Sequence, residues 1–214
     1  TLDIDFAHVD FWDDFCLQFD NAAFLHGTHK HSEANPRYRL IMPMSREATP
    51  DEYVAVARKI AGLIGIDLFD NTTFETQRLM FWQSTPKDIE YYYQFQDGPW
   101  VDVDEILDSY IDWRDTSLWP TADRRMMEIG EAAKKQEDPE DKKGIVGAFC
   151  RTFGIEESIE NFLSEIYSLT DIENRYTYLK GSTAAGLMVY DNKFAYSHHG
   201  TDPCGGKLCN SFDL

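Results

Sequence analysis

The chain has 214 residues, a hydrophobic fraction of 43% and a net charge of −18. This composition is typical of a soluble globular protein and excludes an intrinsically disordered one. No apolar run approaches the ~20 residues that a membrane span needs. The excess of 38 acidic over 20 basic residues argues against a protein held on DNA by bulk electrostatics. The four cysteines form no dense framework, so we expect a reduced, cytosolic compartment.

The first six residues alternate between apolar and acidic side chains. Leu2, Ile4 and Phe6 fall on one face of a predicted strand, and Asp3 and Asp5 fall on the other. The chain starts directly in this strand without Met, so we expect a fragment of a longer protein that lacks the preceding segment. The next predicted elements are a short helix over 11–19 and strands over 22–25 and 38–42.

The clearest element of the sequence is a helix that begins with a capping box. Thr49 occupies the N-cap, Pro50 the first helical position, and Glu52 the position whose side chain reaches back to the cap. Apolar residues with helical spacing continue to Ile64, and Gly65 provides the stop. Shorter predicted elements follow: a strand over 66–69, an apolar run over 79–82 and a strand over 91–95.

Strands interleaved with a helix predict an α/β or α+β core, with a mixed sheet and flanking helices. Near residue 120 the character of the sequence changes, and polar helical segments and a charged linker replace the strands. Short strands with glycine-rich turns return in the tail. We therefore expect a core domain over 1–120, a helical linker region over 121–170 and a small accessory α+β segment over 171–214, truncated at its C-terminus.

Asp3 and Asp5 form the first candidate site. Carboxylates two residues apart on a strand lie on one face, within reach of one hard cation or of two close together. Such a pair suits phosphoryl transfer with Mg²⁺ or Mn²⁺, in which carboxylate oxygens hold the metal that neutralises phosphate charge. Taken alone, the pair is explained more simply as an exposed strand face.

The second candidate group is basic and follows the next predicted strand. His29 is flanked by Lys30 and His31, and Arg37 and Arg39 lie shortly downstream. Imidazole, ammonium and guanidinium groups together suit a triphosphate. On charge alone, a solvated basic face explains this segment equally well.

Asp70, at a predicted strand end, is the third candidate. A carboxylate that leaves a strand can complete a metal site, and Arg78 lies eight residues later, where it could clamp a phosphate. The alternative is a turn-forming Asp ahead of Asn71. Asp67 is also open as the third acid, and the distance to Arg78 favours Asp70.

In their order along the chain these residues resemble the three signature motifs of the archaeo-eukaryotic primase superfamily. The matching segments are Asp3-Ile4-Asp5, Gly27-Thr28-His29, and Phe69-Asp70 followed by Arg78. The stretch from Thr28 to Ser84 also looks like the primase-polymerase domain of phage and prophage replication proteins. Those proteins often carry a downstream helicase of the virulence-associated protein E type. The resemblance covers roughly the first 95 residues with functional motifs.

The resemblance implies a DNA primase or polymerase. Such an enzyme transfers nucleotides from ribo- or deoxyribonucleoside triphosphates on a single-stranded DNA template, in phage or mobile-element replication. It also implies a helicase partner, in the same full-length protein or as a separate chain, a cytoplasmic location in the bacterial host and no membrane. The implied site residues are Asp3, Asp5 and Asp70 for catalysis and for two divalent ions (Mg²⁺ or Mn²⁺), and His29, Lys30, Arg37, Arg39 and Arg78 for the nucleotide, with His29 also catalytic.

One position departs from the family pattern. Gly27 stands where Ser is commoner, so a contact made there by a hydroxyl is lost. The chain also starts without the segment that precedes the first motif in such proteins, and we expect residues that contact the template to be lost with it.

Two other functions stay open. A rolling-circle replication initiator would use His29 and His31 as metal ligands and Tyr91 or Tyr92 as the nucleophile, although Lys30 is a poor fit between the histidines. A catalytically inert interaction module of a replication helicase would keep the fold without the activity. The simplest interpretation of the tyrosines is a strand with aromatic packing on both faces.

The tail contains a further set of metal-ligand residue types. His198 and His199 precede Cys204 and Cys209. Adjacent histidines point opposite ways on an extended strand, and the cysteine spacing is not that of a tight zinc knuckle. We therefore do not expect zinc there.

Overall fold

Two units make up the chain in a computed structural model, which describes residues 1–214 except for the side chains at positions 125, 126, 128, 130 and 134. The first unit comprises Thr1–Ile111 with Pro120–Asp123, and the second comprises Asp112–Trp119 with Arg124–Leu214. Most of the predicted linker and all of the predicted accessory segment lie in the second unit. None of the helices in the described part of the chain is long and apolar enough to cross a membrane.

A four-stranded antiparallel sheet forms the centre of the first unit. The α+β class predicted from the sequence is confirmed, and within it the sheet is antiparallel rather than mixed. A loop joins the second strand directly to the third, and such a connection suits an antiparallel pair, whereas a parallel pair needs a longer crossover. The strands, in the order β1-β3-β2-β4, are β1 (Leu2–Ile4), β2 (Ala23–Gly27), β3 (Tyr38–Ile41) and β4 (Tyr93–Gln96).

Helices cover one face of this sheet. Leu2, Leu25 and Leu40 are paired across β1, β3 and β2 and are at most 5% exposed. Val56 and Ile60 of the long helix line one pocket with the leucines of β1 and β3, so the apolar face of the sheet is turned towards this helix and the opposite face is left open. The helices of this unit are α1 (Phe11–Gln18), α2 (Pro50–Ile64) and α3 (Val103–Asp108).

The start of α2 has the predicted capping box. The Thr49 hydroxyl accepts a hydrogen bond from the amide of Glu52, and Glu52 Oε2 accepts one of 2.8 Å from the amide of Thr49. Pro50 occupies the first turn, and Gly65 follows the last turn with φ +130°. Arg46 Nη2 also lies 3.0 Å from Glu52 Oε1, so the box is tied to the preceding loop.

The predicted strand over 66–69 does not form. Residues Ile66–Leu68 make a 3₁₀ turn, and Phe69 makes a single antiparallel bridge to Ile4. Asp70 then caps a second 3₁₀ turn, Asn71–Phe74, which ends the pairing after one residue. The apolar run over 79–82 has neither helical nor strand structure.

The second unit contains a sequential antiparallel sheet. Ile155 and Ile159 of its last helix pack with Tyr167, Tyr176 and Leu187 of the strands in one core. The predicted helical segments and the predicted tail strands therefore share a hydrophobic core. The elements are α4 (Asp123–Lys135), which starts at the division between the units, α5 (Gly144–Thr152), α6 (Ile155–Phe162), β5 (Tyr167–Leu169), β6 (Arg175–Tyr178), β7 (Leu187–Tyr190), β8 (Phe194–Ser197) and β9 (Leu208–Asn210).

Candidate functional site

The open face of the first sheet carries polar side chains in register. Arg39 of β3 is paired with Asp3 of β1 on one side and with His26 of β2 on the other, and His26 is paired with Tyr93 of β4. Cross-strand partners point to the same face of a sheet. Asp3, Arg39 and His26 therefore form a polar row, which Tyr93 continues, on the face opposite to the one that packs on α2.

Both carboxylates of the first motif are held by arginines of the β3 region. Arg39 Nη2 lies 3.2 Å from Asp3 Oδ2, and Arg37 Nη1 lies 3.0 Å from Asp5 Oδ1. These four side chains are between 12% and 30% exposed. Burial raises the pKa of Asp5, the charges of Asp3 and Asp70 act in the same direction, and Arg37 opposes them. The acids of the first motif are thus in contact with basic residues predicted to bind the nucleotide.

Asp70 lies next to the same strand through its backbone. Its amide donates a hydrogen bond of 2.9 Å to the carbonyl of Asp3. Its carboxylate is used in the following turn, where it accepts hydrogen bonds from the amide of Thr72 at 3.0 Å and from the hydroxyl at 2.6 Å. Arg78 Nη2 lies 3.9 Å from the same carboxylate. Asp67 is exposed on the preceding 3₁₀ turn, so the position beside the first motif favours Asp70.

An open cleft of about 390 Å³ lies over the polar row. His29 and Lys30, both exposed, form part of its wall. The opposite wall is the segment 81–84, which is attached by a 2.8 Å hydrogen bond from Arg39 Nη1 to the carbonyl of Phe81 and by a 3.1 Å contact between His29 Nδ1 and Ser84 Oγ. The lining residues are Asp3, Asp5, His26, Thr28, His29, Lys30, Arg37, Arg39, Phe81, Trp82, Gln83 and Ser84.

The cleft brings most of the predicted site residues together. It contains two of the three acids and four of the five nucleotide-binding candidates. The exceptions are Asp70, whose carboxylate is directed towards Thr72, and Arg78, which is exposed beside it. Asp70 could engage a cleft ligand either through its remaining lone pairs or after its hydrogen bonds to Thr72 open.

Gly27 is explained by the position of His31. A Cβ atom at residue 27 would lie 3.1 Å from the imidazole ring of His31. That ring packs against Tyr38 and Tyr92, with centroids 4.9 and 5.3 Å away, and its Nδ1 accepts a hydrogen bond from the amide of Arg37. The departure from Ser at this position therefore accommodates a packed histidine. The same contacts tie His31 into the fold and disfavour its use as a metal ligand in a rolling-circle initiator.

Two features of the cleft were not predicted. His26 is 3% exposed, its Nδ1 lies 2.8 Å from the carbonyl of Gly27, and burial lowers its pKa. Alternation along β2 places His26 on the same face as Thr28. The sequence did not give the strand register that pairs His26 with Arg39. The wall formed by segment 81–84 had no local signal, because an apolar run does not indicate what it packs against.

The acids of the cleft fit a divalent metal in their chemistry. Mg²⁺ and Mn²⁺ prefer carboxylate oxygens, and Asp3 Oδ1 is buried and accepts no hydrogen bond from any described residue. Among the described side chains, no group of three or more His, Cys, Asp or Glu is already arranged to hold a metal ion. Arg39 and Arg37 each occupy one oxygen of Asp3 and of Asp5, so a metal ion held by both oxygens of either acid would displace the arginine.

The histidines and cysteines of the tail have structural surroundings. His199 is 1% exposed, its Nδ1 lies 2.7 Å from the Thr183 hydroxyl, and its Nε2 accepts hydrogen bonds from two backbone amides. Both ring nitrogens are thus used within the fold. Cys204 and Cys209 are buried and free of disulfides, and Cys204 Sγ lies 3.7 Å from the carbonyl of Asp213.

The comparisons with known proteins give one match. No curated protein and no solved structure matches the chain. The family model of the VapE N-terminal domain matches residues 1–122, which are more than half of the 214 residues and include the whole cleft. The chain therefore belongs to the VapE N-terminal domain family, which links it to VapE-like phage proteins.

Proposed function

We propose that this chain is the nucleotidyl-transfer part of a phage or mobile-element replication protein, acting as a DNA primase or polymerase. The observation that carries the proposal is the cleft, where the carboxylates of Asp3 and Asp5 lie among His29, Lys30 and the β3 arginines. Acids for a divalent cation beside bases for a polyphosphate are the combination that phosphoryl transfer requires. Membership of a family linked to phage replication agrees with this reaction.

The basic side chains of the cleft would bind the triphosphate. Lys30 and His29 are exposed at the wall and can reach a ligand without unfolding. Arg37 and Arg39 each have a buried Nε without a hydrogen bond to any described residue, so their guanidinium groups retain donor capacity beyond the carboxylates. Arg78 lies on the Asp70 side and would join the phosphate site when Asp70 turns inward.

Asp3 and Asp5, joined by Asp70, would hold two Mg²⁺ or Mn²⁺ ions. Bound divalent cations would supply charge neutralisation for the phosphates and a lower pKa for the attacking hydroxyl. In the transfer, the 3′ oxygen of the growing strand forms a bond to the α-phosphorus, the bond to pyrophosphate breaks, and the hydroxyl proton passes to solvent. The chain's own contribution is to position the acids on a short, buried strand and to offer the released arginines to the phosphates.

The proposal includes the wider setting of the reaction. The template is single-stranded DNA, and the partner is a helicase, as a further domain of the full-length protein or as a separate chain. The reaction takes place in the cytoplasm of the bacterial host.

Metal-dependent nucleotide binding and primer synthesis test this function. With Mn²⁺, the wild-type chain should bind a nucleoside triphosphate and incorporate labelled nucleotides on single-stranded DNA. Asp5→Asn should lower incorporation by about a hundredfold or more, because the loss of a group that only supports a metal ligand already costs about 10- to 100-fold. Its thermal midpoint should stay close to the wild-type value.

Asp13→Asn is the matched control. Asp13 is an exposed acid of α1, outside the cleft, and its loss should leave incorporation unchanged. Retained synthesis by Asp5→Asn would contradict the proposed site. A wild-type chain that binds no triphosphate in the presence of metal would instead indicate an inert module that has kept the fold.

A further inference from the structure

An aromatic strip lies on the same sheet face as the polar row. It consists of Phe24 in β2 together with Tyr91, Tyr93 and Phe95, which precede or belong to β4. Phe24 is directly paired with Phe95. The ring centroids of Phe24 and Tyr93 are 6.2 Å apart, and those of Tyr91 and Tyr93 are 5.9 Å apart, with the planes tilted by only 26° and 22°. The rings of Phe24, Tyr93 and Tyr91 are therefore stacked with nearly parallel planes, and Phe95 lies beside Phe24 on the paired strand.

The outer rings of the strip are exposed. Tyr93 is 53% exposed and Phe95 is 63% exposed. Both belong to β4, which is an edge strand of the sheet. Large aromatic side chains side by side on an exposed edge strand favour unwanted association. Tyr93 and Phe95 do not pack in the core of the first unit, because that core lies on the other face of the sheet. A ligand that covers them explains their exposure better.

The surroundings of the strip favour a nucleic acid strand. The strip adjoins the polar row through His26, whose ring lies 6.4 Å from that of Tyr91, and Arg39 is the next residue of that row. Arg37 and Lys30 line the same cleft. In a chain of net charge −18, three cationic side chains here outnumber the two acids of the cleft and lie beside flat rings. Unpaired bases stack on aromatic rings while their phosphates contact Lys and Arg.

We propose that the aromatic strip stacks the unpaired bases of a single-stranded DNA template, with Tyr93 and Phe95 as the main stacking rings. Side chains two residues apart on a strand are about 6.8 Å apart, so two successive bases of an extended strand can each meet one ring. The sugar-phosphate backbone of the DNA then passes Arg39 at the side of the strip and enters the cleft. This inference rests on the proposed function and assigns the template to the edge of the sheet beside the nucleotide site.

Strand-binding measurements with two oligonucleotides test this inference. The full 214-residue chain is titrated against a fluorescein-labelled oligothymidylate of about 16 nucleotides, and against an abasic strand of the same length, by fluorescence anisotropy. Tyr93→Ala and Phe95→Ala should each weaken binding of oligothymidylate by about tenfold, since one stacked base contributes roughly that factor. The abasic strand should bind the wild type more weakly, and neither variant should weaken it further.

Conservative and remote variants separate stacking from damage to the fold. Tyr93→Phe and Phe95→Tyr keep a ring at each position and should keep the wild-type affinity. Trp100→Ala removes an aromatic side chain that is 60% exposed but outside the strip, and it should also bind normally. Unchanged binding by both alanine variants, or equal affinity of the wild type for the abasic strand, would overturn the inference. The inference would also be overturned if Tyr93→Ala and Phe95→Ala altered self-association of the chain but left DNA binding intact.

The two proposals fail in different ways. Binding of the Mn²⁺-triphosphate in the absence of DNA should be unaffected in Phe95→Ala, because Phe95 does not line the cleft. If Asp5→Asn retained synthesis while the strip variants lost strand binding, the catalytic site would be wrong and the stacking surface right. If the strip variants bound DNA normally while Asp5→Asn was inactive, only the stacking surface would be wrong.

Discussion

Two largely buried polar side chains, one in each unit, differ in how fully their polar atoms are hydrogen-bonded. In the second unit, His199 Nδ1 lies 2.7 Å from the Thr183 hydroxyl, and its Nε2 accepts hydrogen bonds of 3.1 and 3.2 Å from the amides of Tyr178 and Gly186. Because Nε2 accepts, the proton of the neutral ring is on Nδ1. In the cleft of the first unit, by contrast, buried Asp3 Oδ1 is without a hydrogen bond among the described residues.

The contrast distinguishes polar groups that stabilise a fold from those that are free to bind a ligand. A buried polar atom without a partner costs about 1–3 kcal/mol, and a ligand in the cleft would satisfy Asp3 Oδ1. Asp202, like His199, is fully engaged, since it accepts hydrogen bonds from the Tyr167 hydroxyl and from the amide of Cys204. Similar residue types therefore hold the second unit together and remain incompletely satisfied in the cleft.

The largest effect on the free energy of unfolding is expected when His199 of the second unit is compared with His29 of the cleft. His199→Ala leaves two buried amides without an acceptor and creates a cavity, so it should lower the free energy of unfolding by about 3 kcal/mol or more. His29→Ala, at an exposed wall residue, should change it by less than about 0.5 kcal/mol. Urea denaturation measures both. Equal losses in the free energy of unfolding would show that His199 stabilises its unit no more than the exposed His29 stabilises the cleft.

The second prediction concerns a fully satisfied acid outside the cleft. The Arg46 guanidinium and the amide of Thr49 lower the pKa of Glu52 from 4.5 to about 2. A depressed carboxyl pKa contributes stability above the unfolded value, and the contribution is lost as the pH falls from about 4.5 through 2. Glu52→Ala should cost about 1 kcal/mol at neutral pH, with the loss of the capping box.

The pH dependence provides the check on this prediction. The difference between wild type and Glu52→Ala, measured by thermal unfolding, should shrink steadily below pH 4.5. Glu47→Ala is the control, because the exposed Glu47 offers Arg46 only its backbone carbonyl, which the substitution retains. A difference that stays constant down to pH 2 would exclude the ion pair as its source.

The third prediction tests the cleft itself. Arg37→Met removes a pair whose side chains are 27% and 30% exposed, so the free energy of unfolding should change by less than about 1 kcal/mol. If Arg37 holds Asp5 until a ligand arrives, Mn²⁺ should bind this variant more tightly than wild type in the absence of nucleotide, and the triphosphate should bind more weakly. Calorimetric titration measures both affinities. Unaltered Mn²⁺ affinity would indicate that Arg37 does not compete for the carboxylate.

Elements with local signals were well predicted from the sequence. The capping box at Thr49 and the stop at Gly65 delimit α2, because caps are formed by residues within one turn. The alternation over the first six residues placed Asp3 opposite Leu2 and Ile4, as in β1. The segment over 66–69 was wrong as a strand, since only Phe69 finds a partner and Asp70 caps the next turn.

The candidate site was predicted in part. Motif order brought the acids, His29 and the arginines into one hypothesis. The cleft contains Asp3, Asp5, His29, Arg37 and Arg39 but not Asp70 or Arg78. His26 and the aromatic strip were missed, because a lone buried histidine and a run of tyrosines have the pattern of ordinary core strands. Their common face is visible only when β2, β3 and β4 are aligned.

Residue types and periodicities were enough for the α+β class, the capped helix and the acidic face of the first strand, because each depends on neighbours a few positions away. Contacts such as the ion pair between Arg39 and Asp3, 36 positions apart, came from the folded chain. Strand register is set by the burial of a whole apolar face, and a shift by one residue would turn every side chain of a strand over. For that reason the fold, and not the motifs, determined which acid meets which arginine and which rings face solvent together.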